Sequence, residues 1–205
     1  MAIRNFRSGD EPALYDVCLR TGANGGDASS IYRNGRLLGE VFVGPYVALE
    51  PELAFVLDDG AGPEGYILGA LDTPAFDAEC EERWWPRLRE NYPLESVAPD
   101  VPDRWIVEWI HRPPAVVPPA VTAAYPSHLH IDVLPRWQGG GWGVKLMNTL
   151  LDALTERGST GVHLGVSTGN PRAIAFYRKF GFEELDSRHG ALFLGYRLND
   201  GERNR

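Results

Sequence analysis

Between Trp142 and Gly158 the apolar residues Val144, Met147, Leu150, Leu151 and Leu154 recur at intervals of three and four. That spacing lines them along one face of a helix. Two neighbouring stretches, SHLHIDVLP and GVHLGVST, alternate instead, as a strand does when one face lies in a core. In the first, Leu129, Ile131 and Val133 share a face, His128, His130 and Asp132 share the other, and Pro135 ends the run. NPRAIAFYRKFG predicts a second helix, with Asn170 as N-cap, Pro171 at the first position and Gly181 past the end. ALFLGYRLN predicts a final strand.

The N-terminal half reads less regularly. AIRNF is a short strand, followed by a helix over SGDEPALYDVCLRTG with Ser8 or Asp10 as cap, Pro12 in the first turn and Gly22 at the end. ELAFVLDDG and GPEGYILGALDT form a hairpin turning at Asp58 to Gly65. Thr73 to Tyr92 is helical in pattern. RWIVEWIHRPPAVVPPAV runs from a strand into a stiff connector of four prolines. No internal repeat is visible. Mixed strands and helices make this an α/β or α+β sheet protein.

Composition narrows the class. The 205 residues suit one domain with a real core, and 43% hydrophobic with 11% aromatic residues is ordinary for a folded chain. A net charge of −8 disfavours nucleic acid, because phosphate backbones are held by basic surfaces. From Asp77 to Asp103, eight acids stand against three arginines, which reads as a solvated face or as the border of a site for a cationic amine. Cys18 and Cys80 lie in no C-x-x-C arrangement and read as reduced residues. Neither a signal peptide nor a membrane-length apolar run is present, so a cytoplasmic protein with no membrane partner is expected.

The segment before the long helix, DVLPRWQGGGWGVKLM, places four glycines among five residues. A helix start exposes unpaired N–H groups and part of a positive charge. Glycines in front of it let those groups close on a phosphate or pyrophosphate. The P-loop pattern fails because Val144 intervenes between Gly143 and Lys145, and the dinucleotide pattern fails on spacing and on its late position.

Gln138-x-x-Gly141-x-Gly143 after a strand resembles the pyrophosphate signature of the GNAT superfamily of N-acetyltransferases, which bind acetyl-CoA there. NPRAIAFYRKFGF resembles a second segment of that family, N-x-x-A-x-x-F-Y-x-x-x-G-F. The two motifs cover roughly Ser127 to Phe182. More loosely, HRPPAVVPPAV and YPSHLHIDVLP resemble the acetyltransferase-like C-terminal domain of O-GlcNAc hydrolases and its bacterial stand-alone relatives. The resemblance implies a mixed, mostly antiparallel sheet flanked by helices in a single domain, 1–205. It puts an acetyl-CoA-binding core at 127–182 and a helical, Pro-rich insertion around 73–125.

It also implies roles. The pantetheine arm would run along Ile131 to Leu134 and bind backbone groups of Ile131 and Val133 beside Asp132. Gln138, Gly139, Gly140, Gly141, Trp142, Gly143 and Val144 would hold the pyrophosphate. Asn170 and Arg172 would meet the arm or the nucleotide, with Phe176 packed beside them. Tyr177 matches the acid that protonates the leaving thiolate, although its spacing alone more often marks a core residue. An amine acceptor must lose a proton before it attacks; Asp132, His130 and Glu108 are the candidates for taking it.

Other readings use the same residues. A domain that binds acetyl-CoA or a protein partner without turnover is one. GVSTG fits the G-x-S-x-G elbow of a hydrolase, with Ser167 as nucleophile and Asp186 and His189 to complete a triad, but the chain after Gly169 is too short for the strands that fold requires. His128, His130 and Asp132 share a face that suits a metal, yet no further cluster completes a site, so no metal is expected. The acceptor amine and the oligomeric state, a homodimer included, stay open.

Overall fold

The computed structural model describes residues 1–114, 117–188 and 190–198. At its centre is a seven-stranded sheet: β1 (Ala2–Asn5), β2 (Ala54–Asp58), β3 (Pro63–Ala70), β4 (Ser127–Val133), β5 (Gly161–Ser167), β6 (Glu183–Arg188) and β7 (Ala191–Arg197). The spatial order is β1-β2-β3-β4-β5-β7-β6. Neighbours are antiparallel except β4 and β5, which are parallel. That parallel pair is short: Ser127 faces Val162, His128 faces His163, and there the ladder ends. Past that point the strands part, leaving unpaired backbone along the second half of β4.

Helices cover both faces. They are α1 (Glu11–Thr21), α2 (Leu37–Phe42), α3 (Gly44–Leu49), α4 (Thr73–Glu79), α5 (Trp85–Asn91), α6 (Asp103–His111), α7 (Pro119–Ala124), α8 (Trp142–Glu156) and α9 (Pro171–Phe180). The alternation along the strands sorts residues into two cores. Val56, Tyr66 and Leu68 pack with α1, α2 and α6, whereas Phe55, Leu57 and Ile67 pack with α8. Leu146, Met147, Leu150, Leu151 and Leu154 of α8 are buried as its periodicity requires. Val144 is not; it is 43% exposed at the head of that helix.

The structure corrects the sequence reading at several points. RWIVEWIH is not a strand but α6: Ile106 and Ile110 are buried one helical turn apart with Val107 beside them, a spacing that an alternating pattern mimics over so few residues. The helices α2 and α3 went unread, as did β6, an edge strand whose EELDSR carries no apolar face. Asp10 occupies the N-cap position of α1, but its carboxylate accepts from Arg4 and from the Arg7 N–H instead of from the helix. By contrast, Asn170 caps α9 by accepting from the Ala173 N–H at 3.1 Å.

Candidate active site where two strands part

A cleft of about 1170 Å³ opens between the diverging strands. It is bounded by the second half of β4, the glycine turn, the first turns of α8 and α9, and the loop after α1.

The turn is built by its own residues. Gly139 and Gly141 both adopt φ of +80°, in the left-handed region that favours glycine, and a Cβ on either would meet nothing within 4 Å. The chain thus exposes bare backbone to the cleft. The Lys145 N–H closes the first helical bond on the Gly141 carbonyl at 3.1 Å, so the N–H groups just ahead have no partner inside α8. Glu64, buried in β3, fixes the turn from behind: Trp137 Nε1 donates to it at 2.8 Å and Arg136 pairs with it. Gln138 donates its side-chain amide to the Val133 carbonyl at 2.7 Å, which ties the turn to the end of β4.

Asp132 and His130 stand on the opposite face of β4 from Leu129 and Val133. Tyr66 donates its hydroxyl to Asp132 Oδ2 at 2.8 Å, and His130 Nε2 lies 3.3 Å from the same oxygen. The other ring nitrogen, Nδ1, donates to the Phe42 carbonyl at 2.7 Å. Both nitrogens therefore face acceptors, an arrangement that favours imidazolium. Burial alone would lower the His130 pKa, but the hydrogen bond and charge of Asp132, with the Phe42 carbonyl, hold it above the ordinary value. Burial, with the Asp132 charge, pushes the Tyr66 phenol and the Cys18 thiol up, so both stay protonated.

Tyr177 is buried between Phe176 and Phe182 yet lines the cleft. Burial first, and then the Asp132 charge, push its phenol well above the ordinary value, so it is protonated throughout the neutral range.

Most of the anticipated residues thus meet in one place: Ile131, Asp132, Val133, Gln138, Gly139, Gly141, Gly143, Val144, Asn170, Arg172, Phe176 and Tyr177 all line the cleft. Gly140 and Trp142 do not; the Trp142 ring sits under the Lys145 ammonium at 4.2 Å and against Gly140. Glu108 is also elsewhere, exposed on α6 and paired with Arg104 at 2.7 Å. None of the acids between Asp77 and Asp103 lines the cleft.

Sequence reasoning missed the facing wall: Cys18, the loop Gly22 to Gly26, Leu38, Phe42 and Trp105. Its one legible sign is TGANGGD, a turn-rich stretch after a helix. Phe42 and Trp105 carry no such sign.

The rival chemistries lack their geometry. Ser167 accepts from the Gly169 N–H at 3.1 Å, and Asp186 lies on β6, separated from β5 by β7 and paired with Arg188. That is two strand spacings, roughly 10 Å; His189 lies outside the described residues. His128 Nδ1 bonds the Thr73 hydroxyl at 2.8 Å, while His130 is committed to Phe42 and Asp132.

Comparison with known proteins agrees with this geometry. The Acetyltransferase (GNAT) family profile matches residues 117–182. The crystal structure of SsHAT is 46% identical, with a TM-score of 0.91, over 97% of this chain and 98% of that one. The chain belongs to the GNAT acetyltransferase family. Protein O-GlcNAcase of Rattus norvegicus is 28% identical over 92% of this chain, which spans only 20% of that protein's length. The structure of yncA from Salmonella typhimurium with its cofactor acetyl-CoA shares the fold at 14% identity and a TM-score of 0.55, covering 100% of this chain and 97% of that one. Among the described residues, no helix is long and apolar enough to cross a membrane.

Proposed function

We propose that this protein transfers the acetyl group of acetyl-CoA to an amine. One observation carries the reading: the unpaired edge of β4, the bare glycine turn and the Asp132, His130 and Tyr177 side chains all open into one cleft. The turn fits a pyrophosphate because Gly139 and Gly141 leave its backbone uncovered and α8 adds the positive end of a 15-residue helix. The free edge of β4 fits an extended amide-bearing arm, with Asn170 and Arg172 at the head of α9 beside it. On this reading residues 127–182 form the acetyl-CoA-binding core, and the helices between β3 and β4 are an insertion around 73–125.

In the transfer, the amine nitrogen forms the new C–N bond as the C–S bond breaks. Asp132 takes a proton from the incoming ammonium. Tyr66 and His130 both meet Asp132 at Oδ2, which leaves Oδ1 for that N–H. His130, held by Phe42, keeps the carboxylate oriented. Tyr177 gives its hydroxyl proton to the departing sulfur and regains one from the second N–H that the nitrogen sheds as it becomes an amide. Its raised pKa keeps the hydroxyl protonated at working pH, so the proton is there to give.

The experiment pairs a melting measurement in acetyl-CoA with an assay of coenzyme A release across an amine panel. Stabilisation by acetyl-CoA and amine-dependent release of thiol are expected. Stabilisation without release by any amine would make this a binding domain, and an unchanged melting temperature in saturating acetyl-CoA would remove the reading altogether.

A further inference from the structure

Resting on that reading, we propose that the acceptor is a primary monoamine on an aromatic body, stacked at Trp105 and Phe42 with its ammonium delivered to Asp132.

A ladder of side chains leads away from the carboxylate. Asp132 Oδ2 is 3.3 Å from His130 Nε2, the His130 ring lies 5.8 Å from Phe42, and Phe42 lies 6.3 Å from Trp105. Trp109 and Tyr32 back this row, at 6.2 and 6.4 Å from the Trp105 ring. Despite those neighbours Trp105 remains 41% exposed. Among the described residues four large hydrophobic side chains are exposed, and two of them, Trp105 and Val144, line this cleft. An apolar ring left facing water at the wall of a cleft has a ligand to gain from.

Charge then restricts the amine. Asp132 is the only carboxylate among the described residues lining the cleft, whereas Arg172 and Lys179 are both there. A di- or polyamine would find one carboxylate for its several charges, with the His130 imidazolium, Arg172 and Lys179 as cations around it, so a single ammonium is favoured.

Hydrogen bonding restricts the body that carries it. Trp105 Nε1 donates to the Tyr32 hydroxyl at 3.2 Å, Thr21 Oγ1 donates to the Val17 carbonyl at 2.8 Å, and Tyr66 donates to Asp132. Around the rings the polar side-chain atoms are thus spent within the protein, and Asn24, on the loop after α1, is the amide side chain this wall offers a ligand. A sugar would surrender the hydration of several hydroxyls for a single side-chain amide, while a flat apolar body gives up little and gains edge or offset contact with the indole. The ring quadrupoles of Phe42 and Trp105 also favour a cation passing over them toward Asp132.

The products are the N-acetyl amide and coenzyme A thiol, with the ammonium proton released to solvent through Asp132. The test compares 2-phenylethylamine and tryptamine with spermidine, putrescine, glucosamine and Nα-acetyl-lysine amide at saturating acetyl-CoA. The aromatic amines should show at least tenfold higher kcat/KM. Trp105→Ala should raise their KM tenfold or more and leave the KM for acetyl-CoA unchanged, and Trp105→Phe should restore most of the loss. Where Trp105→Ala melts early, Phe42→Leu trims the same wall and carries the comparison. Calorimetry of 2-phenylethylamine into the protein without acetyl-CoA reads the acceptor site alone, so it decides this proposal even where the transferase reading fails. Absence of binding there, a higher kcat/KM for spermidine or glucosamine, or an unchanged amine KM in the Trp105 and Phe42 variants would each overturn it.

Discussion

The glycine turn and the aromatic wall border one cleft and are built on opposite principles. The turn offers backbone: four glycines among the six residues Gln138 to Gly143, two of them at φ of +80°, tied down by Glu64 and Val133. The wall offers side chains, drawn from α1, α2, α6 and β4. Backbone N–H groups can hold any phosphate of the right shape, so a short contiguous stretch suffices. Choosing one amine among many needs rings and charges set at several distances and angles, which no single segment supplies. Where the ligand is met by peptide groups the site is local; where selectivity is needed it is assembled from distant parts.

The sharpest way to break this division is through Tyr177, which belongs to neither side. Tyr177→Phe keeps the ring among Phe176 and Phe182 but removes the hydroxyl. Turnover should fall by roughly 10²- to 10⁴-fold, while acetyl-CoA still stabilises the fold as in the parent. Turnover at the parental rate would return Tyr177 to a packing role.

Asp132→Asn acts on the acceptor side alone. A loss of about 10²-fold in kcat/KM near pH 7 is expected, shrinking as pH rises because more of the acceptor is already neutral. A defect independent of pH would mean that Asp132 positions groups and moves no proton.

Gly141→Asp strikes the other side. A Cβ there meets nothing inside the protein, so the fold should persist at a cost of about 1 kcal/mol for the left-handed backbone. The stabilisation of about 2.7 kcal/mol expected at a hundred times the Kd of acetyl-CoA should vanish, since the substitution adds bulk and negative charge where phosphate would sit. A retained melting shift would show that the turn is dispensable.

The last comparison concerns the ground between, where β4 and β5 still pair. Burial, with the nearby His163 and His130, holds His128 down to about 3, and burial also lowers His163. Both are neutral in the folded protein, but in the unfolded chain they take up protons near pH 6.5. Stability should therefore fall as pH drops below about 6.5, by no more than about 1.4 kcal/mol per pH unit for each histidine. His130 has the opposite sign: its raised pKa stabilises fully below the unfolded value, and that contribution is lost as pH rises through its folded pKa. Melting curves between pH 7 and 4.5 check this, with His128→Gln expected to flatten the slope.

What the residues alone disclosed follows the same division. The periodicity of α8, the alternation of β4 and β5 and the punctuation of α9 were legible because each pattern is written within one element. So was the glycine turn, down to Gly141 before the helix. α6 was misread because IVEWI satisfies both periods over so few residues, and β6 was unreadable because an exposed edge strand has no core face to record.

By itself, then, the sequence determined the local pieces and the backbone half of the site, since a left-handed glycine or a helix cap depends on neighbours in the chain. Only the tertiary structure decided that β4 and β5 separate after two pairs, that Glu64 of β3 braces the turn, and that Trp105 of α6 faces the same cleft as Asp132. It also removed Glu108 and the acids of 77–103 from that cleft, though their charge made them attractive on paper. Those outcomes depend on how whole faces pack against one sheet, and packing brings together residues whose separation along the chain carries no signal of their contact.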